Sequence, residues 1–294
     1  MVAPLLTDGL AAIADRYDLF LVDQWGVLHN GGVAKPAAMA ALAALRATGR
    51  PVVLLSNSAK REFVSTANLR RMGIGPWLYD HIVTSGELGW QALHDRTDPF
   101  FAALGRRCLI FTWAGDRQIL EGLDLEESAS VAGADFVLNA GTDGAPVALY
   151  EPVLADAAAR DLPMVCLNPD LVTVTPEGGL VVCPGSLARR YEGLGGRVRY
   201  IGKPHPEVYA HALALAPGAA RPLAIGDSLH HDILGAGRMG IDSVLVTGGV
   251  HAAELRILPG MAPTPEALEA LYAREGFAPT YAMAELFWRP MARG

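Results

Sequence analysis

Apolar runs that predict buried strands alternate with helical patterns at both ends of the chain. The strand patterns fall at Phe20–Asp23, Val52–Ser56, Tyr200–Gly202, Leu223–Gly226 and Asp242–Val246. Apolar residues at helical spacing predict helices over Pro36–Gly49, Lys60–Met72, Pro206–Leu215 and Leu229–Met239. Strands separated by helices are typical of parallel pairing, so we expect both blocks to form one doubly wound, Rossmann-like α/β sheet.

A long insertion with its own strand and helix patterns separates the two blocks. It contains strand patterns at Arg107–Thr112, Asp135–Leu138, Pro163–Leu167 and Leu180–Cys183, and helical patterns at Thr84–Arg96, Glu151–Asp161 and Ser186–Leu194. A segment of this length is too long for a loop, which predicts a second α/β domain. We place the core at residues 1–82 and 199–294 and the inserted domain at 83–198. The tail predicts a helix over Pro265–Glu275 and a closing strand or helix over Thr280–Leu286.

Composition restricts the classes of function. The 294 residues are 51% hydrophobic and 19% charged, which is typical of a globular protein, and the formal net charge is -7. An acidic chain without a Lys/Arg cluster lacks the charge pattern of a nucleic-acid or anionic-membrane binder. No signal-peptide pattern and no membrane-spanning apolar run occur, so we expect a soluble, cytoplasmic protein. Cys108, Cys166 and Cys183 lack metal-ligand spacing and predict buried thiols.

Four of the predicted strands end in residues suited to phosphoryl transfer. These residues are Asp23, Ser56, Lys203 and Asp227. Because ligands bind at the carboxyl ends of parallel strands, we expect the four side chains to converge on one crevice. Two carboxylates, a hydroxyl and an ammonium supply a nucleophile, metal ligands and donors for phosphate oxygens. Lysine is scarce, with Lys35 and Lys60 the only others, which makes Lys203 before a proline conspicuous.

These residues, in this order, resemble a known family. The segments that carry the resemblance to the four motifs of the haloacid dehalogenase superfamily are Asp23-Gln24-Trp25-Gly26-Val27-Leu28, Ser56-Asn57, Gly202-Lys203-Pro204 and Gly226-Asp227-Ser228-x-x-x-Asp232. An insertion between the second and third motifs is similar to the class II branch, in which this segment is a cap domain. Asn168-Pro169-Asp170 and Pro184-Gly185-Ser186 resemble the p-nitrophenylphosphatase-like and sugar-phosphate phosphatases.

The resemblance implies a Mg²⁺-dependent phosphohydrolase that acts on a small phosphorylated metabolite. It makes Asp23 the nucleophile that forms an aspartyl-phosphate, and it assigns the metal to Asp23, Asp227 and the backbone carbonyl of Trp25. Ser56 and Lys203 contact the transferring group, and Asp232 orients the loop. The expected substrate-binding residues are Asn57, Asn168, Asp170 and Lys203. A homodimer formed through the cap is a further expectation from the resemblance.

Trp25 departs from the pattern of the family's phosphatases. These enzymes usually carry a second aspartate two residues after the nucleophile, which protonates the leaving group and then activates water, and an indole does neither. Three readings stay open. His29 or Asp170 replaces the acid, or the substrate has a leaving group that needs no protonation, or the protein is a weak or inactive sensor that binds a phosphometabolite. A nucleotide-binding oxidoreductase fits the α/β pattern alone and lacks the glycine fingerprint.

Overall fold

The structure, a computed structural model, describes residues 5–174, 179–258 and 260–289. The chain forms two compact units. The first contains residues 1–56, 66–83 and 206–294, and the second contains residues 57–65 and 84–205. Residues 57–65 and 199–205, which the sequence analysis placed in the core, therefore pack with the second unit.

A seven-stranded sheet forms the centre of the first unit. Its strands lie in the order Leu5–Leu6, Tyr281–Met283, Asp242–Val246, Pro222–Gly226, Leu19–Asp23, Val52–Ser56 and His81–Thr84. The pairings of the first six strands with one another are parallel. The long central strands are buried apolar runs, as expected of a parallel sheet covered on both faces.

Helices cover both faces of this sheet. Val244 and Val246 pack on one side with the helix Pro36–Ala47, whereas Leu245 packs on the other with the helix Pro265–Glu275. This alternation follows from the two-residue repeat of a strand. The other helices outside the inserted segment are Glu62–Arg71, Pro206–Ala214, Leu234–Arg238 and Ala252–Leu255, with short 3-10 turns at Leu10–Ala12 and Ala14–Arg16. The predicted doubly wound α/β fold is confirmed.

The second unit contains its own parallel sheet. Five strands lie in the order Val198–Tyr200, Met164–Cys166, Phe136–Asn139, Arg107–Phe111 and Glu126–Glu127. The strands Val172–Val174 and Leu180–Val182 pair with each other in antiparallel orientation. The helices are Ser85–Asp95, Pro99–Ala102, Glu151–Ala159 and Pro184–Gly193, with 3-10 turns at Gln118–Leu120, Val131–Gly133 and Val147–Leu149. The three cysteines are free and buried.

One predicted strand belongs to a different sheet from the one expected. The strand before Lys203 spans Val198–Tyr200 and pairs with Met164–Cys166 of the second unit, so the prediction that it joins the core sheet is wrong. An apolar run predicts a buried strand without indicating its neighbour. The helix Pro184–Gly193 lies between these two strands in the chain, and such a crossover usually returns a strand to its own sheet.

The predicted helix Leu229–Met239 is also divided. It begins with a π-helical turn over Leu229–Ile233 and continues as an α-helix over Leu234–Arg238. Such turns are frequent at functional sites, and this one directly follows Asp227 and Ser228. In the part of the chain that the structure describes, no helix has the length and apolar character needed to cross a membrane.

Candidate active site

Three carboxylates of the first unit lie together at the carboxyl ends of its central strands. Asp23 is the last residue of one strand, and Asp227 directly follows the neighbouring strand, in which Ile225 is paired with Val22. Asp232 lies in the π-helical turn that comes next. One oxygen of each carboxylate lies within 4.8 Å of the others, and all three residues are buried.

This donor set fits a hard divalent cation. Carboxylate oxygens are the ligands that Mg²⁺ prefers, and like charges brought this close need a positive charge to stay ionised. Asp23 and Asp227 are two of the predicted ligands. The sequence analysis gave Asp232 only an orienting role, whereas its carboxylate lies close enough to offer a third ligand atom. Its Oδ2 also accepts a hydrogen bond from the Ser228 N–H at 3.1 Å.

Two glycines provide the space that the Asp227 carboxylate occupies. A Cβ at Gly26 or at Gly249 would overlap the Asp227 carboxylate. The N–H of Val250 donates to Asp227 Oδ2 at 2.8 Å. The turn after the Asp242–Val246 strand thus positions a predicted metal ligand, a contribution that the sequence analysis missed. Consecutive glycines at the carboxyl end of a core strand are the signal that indicates such a close approach.

Ser56 lies at the same edge of the sheet. It ends the Val52–Ser56 strand, which pairs with the strand of Asp23 so that Leu55 is opposite Asp23. Its side chain is half-buried. Ser56 therefore lies one residue beyond the position opposite Asp23, at the carboxyl end of the neighbouring strand.

The Trp25 indole packs on its own loop. It lies edge-on to the His29 ring, with ring centroids 5.6 Å apart, and against Gly31, where a Cβ would overlap the indole ring. The residue is 39% exposed. Trp25 thus places an aromatic side chain where the family pattern has a carboxylate, and the loop provides the space through Gly31.

His29 is poorly suited to replace the missing acid. Burial lowers its pKa to about 4, with a further contribution from the nearby Lys35 charge. The Gly31 N–H donates to Nδ1 at 3.0 Å, which fixes that nitrogen as an acceptor. At neutral pH the imidazole is therefore uncharged and has no imidazolium proton to give to a leaving group.

The remaining predicted residues lie together in the second unit. The Asn57 amide nitrogen donates to Asp170 Oδ1 at 2.8 Å and to the Lys203 carbonyl at 3.1 Å, while Asn57 Oδ1 accepts from the Lys203 N–H at 2.8 Å. The Asn168 side chain accepts from the Asp170 N–H at 2.8 Å. Asn57 is 4% exposed and Lys203 2%. Asn57 thereby fixes the backbone of Lys203. These hydrogen bonds explain the position of the Asn57 side chain without a substrate contact.

Lys35 is the second residue that the sequence analysis missed. Its Nζ donates to the Gly26 carbonyl, and burial lowers the pKa of Lys35, while the negative charges of Asp227, Glu285 and Asp23 act to raise it. The scarcity of lysine in the sequence drew attention to Lys203 alone, although Lys35 lies twelve residues after the nucleophile position in the same loop region.

An α/β fold with clustered carboxylates at its strand ends is the arrangement found in enzymes that bind a divalent cation and a phosphorylated substrate. Comparison with known proteins supports the same class of enzyme. The sequence profile of the haloacid dehalogenase-like hydrolases matches residues 20–126, and a second profile, of HAD-hydrolase-like proteins, matches residues 200–272. The chain belongs to the haloacid dehalogenase-like hydrolase family, as the resemblance predicted.

Similar proteins are known from several organisms. A haloacid dehalogenase-like hydrolase from Brucella suis 1330 is 30% identical, with a TM-score of 0.80 and coverage of 96% of this chain and 100% of that one. A 4-nitrophenylphosphatase from Thermotoga maritima is 25% identical, with a TM-score of 0.64 and coverage of 92% and 95%. Chronophin from Bos taurus is 27% identical over 256 residues, which covers 83% of this chain and 86% of chronophin.

Proposed function

We propose that this protein is a Mg²⁺-dependent phosphohydrolase that cleaves a small phosphorylated metabolite through an aspartyl-phosphate on Asp23. The observation that carries the proposal is the cluster of Asp23, Asp227 and Asp232 at the strand ends of a haloacid dehalogenase-like fold. Asp23 and Ser56 end two neighbouring strands of one sheet and Asp227 directly follows a third, which supports a shared role for the three residues.

Each residue has a defined part in this proposal. The Asp23 carboxylate attacks phosphorus in line and carries the phosphoryl group until water removes it. Ser56 donates a hydrogen bond to a phosphoryl oxygen, and Lys203 stabilises the charge of the transferring group. Asp23, Asp227 and the carbonyl of Trp25 are the groups that would hold Mg²⁺, and Asp232 would offer a further ligand atom. The bound ion supplies charge neutralisation between two anions, the carboxylate and the phosphate.

The inserted segment, expected at residues 83–198, is proposed to act as the cap that selects the substrate, and it makes up most of the second unit, which contains residues 57–65 and 84–205. Asn57, Asn168 and Asp170 contribute to substrate binding in this proposal. Because Asp170 already accepts a hydrogen bond from Asn57, we assign it to holding the Lys203 loop rather than to proton donation. A cytoplasmic location and a homodimer formed through the cap accompany the proposal as expectations from sequence alone, and sedimentation equilibrium tests the second.

A phosphate-release screen tests the proposed activity. The wild type and Asp23→Asn are incubated with Mg²⁺ and with p-nitrophenyl phosphate, acyl phosphates and sugar phosphates. We expect the wild type to release phosphate from at least one class and Asp23→Asn to lose that activity by at least about a thousandfold, since the substitution removes the nucleophile. Activity that survives Asp23→Asn would reject Asp23 as the nucleophile.

Trp25 favours a second candidate function, a sensor that binds a phosphometabolite and turns it over poorly. Loss of general acid catalysis costs roughly a hundred- to ten-thousand-fold in rate without removing the metal ligands. Isothermal titration calorimetry beside the phosphate assay separates the two functions. Tight binding with negligible turnover of every substrate class indicates the sensor, and turnover that follows binding indicates the enzyme.

A further inference from the structure

The turn after the Asp242–Val246 strand leads into a buried histidine, His251. Within this turn the Gly248 N–H donates to the Ala284 carbonyl at 2.8 Å. The carbonyl of His251 itself accepts from the Leu255 N–H at 2.9 Å, in the short helix that follows. Hydrogen bonds therefore fix the backbone on both sides of this histidine, and its ring is carried by a rigid part of the first unit.

The His251 ring binds the backbone of the π-helical turn. Its Nε2 accepts a hydrogen bond from the Leu229 N–H at 3.2 Å, and its Nδ1 lies 3.3 Å from Glu254 Oε2. Because Nε2 accepts, the proton of the neutral ring lies on Nδ1, which donates it to the Glu254 carboxylate. Burial lowers the pKa of His251, and the opposing effect of Glu254 is smaller, so the neutral ring predominates at neutral pH.

The N–H that His251 accepts belongs to the peptide unit that joins Ser228 to Leu229. The carbonyl of this unit is that of Ser228, and it accepts from the Asp232 N–H at 2.9 Å and from the Ile233 N–H at 3.2 Å. A trans peptide unit is planar, so its N–H and its C=O point in opposite directions and turn together. His251 therefore orients, through one peptide plane, the backbone that carries a carboxylate of the cluster.

The same turn also contacts a second carboxylate of the cluster. Val250, the residue before His251, donates its N–H to Asp227 Oδ2 at 2.8 Å. Val250 and His251 thus bind the short segment from Asp227 to Leu229 at both of its ends. Since Asp232 is hydrogen-bonded to the middle of that segment, these two contacts fix the spacing between the Asp227 and Asp232 carboxylates.

We propose that His251 is a positioning residue of the candidate metal site, which holds Asp227 and Asp232 at the spacing that a divalent cation needs by accepting the Leu229 N–H. The inference deepens the proposed function and rests on it, because it assigns a residue that sets the metal affinity of that same site. It assigns to His251 no bond to the ion and no proton transfer. Removing a group that orients metal ligands typically lowers metal affinity by about ten- to a hundredfold.

Loss of the acceptor at the position of Nε2 should weaken Mg²⁺ binding. His251→Leu replaces the ring with an apolar side chain, and the short amide of His251→Asn places its oxygen near the position of Nδ1. Both variants leave the Leu229 N–H without this acceptor. The longer amide of His251→Gln carries an oxygen close to the position of Nε2 and should restore binding. A histidine that only fills space predicts no difference between the two amide variants.

The experiment measures bound Mg²⁺ and the Leu229 amide rather than phosphate. The full-length wild type, the three His251 variants and His211→Leu are titrated with Mg²⁺ by calorimetry, and exchange of the Leu229 amide hydrogen is followed by NMR in the metal-free proteins. His211→Leu is the matched control, because it removes another histidine of the first unit whose pKa is lowered by burial. His211 lies in the last turn of the helix Pro206–Ala214, which leads to the amino end of the Pro222–Gly226 strand, opposite to the carboxylates.

We expect the Mg²⁺ dissociation constant to rise about tenfold in His251→Leu and His251→Asn, and to stay within about threefold of the wild type in His251→Gln and His211→Leu. The Leu229 amide hydrogen should exchange about fivefold faster in His251→Asn than in His251→Gln, because only the longer amide replaces the hydrogen bond. If His251→Leu does not fold, the comparison of the two amide variants decides in the same way.

Equal Mg²⁺ affinities in His251→Asn and His251→Gln would overturn the proposal. A loss of affinity of the same size in His211→Leu would overturn it too, as would failure of all three His251 variants to fold or absence of Mg²⁺ binding by the wild type. A wild type that binds Mg²⁺ in this way and releases no phosphate in the separate screen supports the positioning role and counts against the proposed hydrolysis alone.

Discussion

At the scale of single residues, Trp25 determines what chemistry remains available. The loop accommodates the indole through its contacts with Gly31 and His29, and the neutral His29 cannot supply the missing proton. Asp170 is held by Asn57 in the second unit. The proposed site therefore keeps its nucleophile and metal ligands, and neither His29 nor Asp170 is placed to protonate the leaving group.

This leads to a prediction about leaving groups. The wild type should hydrolyse aryl and acyl phosphates far faster than alkyl phosphates, because only poor leaving groups depend strongly on an acid. Trp25→Asp should raise alkyl-phosphate turnover by up to about a hundredfold and flatten the dependence of rate on leaving-group pKa. The measurement is kcat/KM over a series of phosphate monoesters. Trp25→Phe, which supplies no acid, is the control and should keep the steep dependence.

The stability of the Trp25→Asp variant is measured in parallel. Since the indole is 39% exposed, its removal leaves less of a cavity than the loss of a core aromatic, and the expected decrease in free energy of unfolding is below the roughly 3 kcal/mol typical of buried positions. Equal rates for alkyl and aryl phosphates in the wild type would contradict the account and show that another group protonates the leaving alcohol.

The residues of the sequence motifs could be predicted from the sequence. The residues whose contribution depends on a close contact between distant backbone segments could not. Asp23 and Asp227 each follow an apolar run, so the pattern itself indicated where their side chains would lie. The contributions of Gly249 and Lys35 depend on which backbone segments touch Asp227 and Gly26 in three dimensions. A linear pattern contains no information about that approach.

At the scale of elements, the sequence predicted the strands of the core sheet and failed for the sheet to which one strand belongs. The Leu19–Asp23, Val52–Ser56 and Pro222–Gly226 strands are neighbours in one sheet, so the residues at or just after their ends lie at one edge. The Val198–Tyr200 strand, which also precedes a predicted site residue, is only half-buried and pairs with Met164–Cys166. Periodicity predicts that a strand is buried, whereas its sheet is decided by the packing of the crossover helix.

The turn after the Asp242–Val246 strand provides a prediction at this scale. In Gly249→Ala the new methyl group would overlap the Asp227 carboxylate and displace it from the cluster, so we expect Mg²⁺ binding to weaken by at least about tenfold. Calorimetric titration of the variant measures this effect. Gly237→Ala is the matched control, because that helical position has open space for a Cβ, and its Mg²⁺ affinity should equal that of the wild type. Equal affinities in both variants would show that the glycine does not position Asp227.

At the scale of the whole molecule, the sequence predicted an α/β core interrupted by an inserted α/β domain, and the structure contains two units with one parallel sheet each. The boundaries differ because residues 57–65 and 199–205 pack with the inserted segment. Asn57 links these two segments through its hydrogen bonds to the Lys203 backbone. Such long-range pairing of two loops has no periodic signature in the sequence.

The central claim is that Asp23 becomes phosphorylated during turnover, and mass spectrometry of acid-quenched protein tests it most directly. Protein is mixed with Mg²⁺ and p-nitrophenyl phosphate, quenched in acid to preserve an acyl phosphate, and digested. The account predicts that the peptide containing Asp23 gains the mass of one phosphoryl group in the wild type, and that this gain is absent in Asp23→Asn and in EDTA. Turnover that leaves this peptide unmodified, or places the phosphoryl group on another residue, would contradict the account.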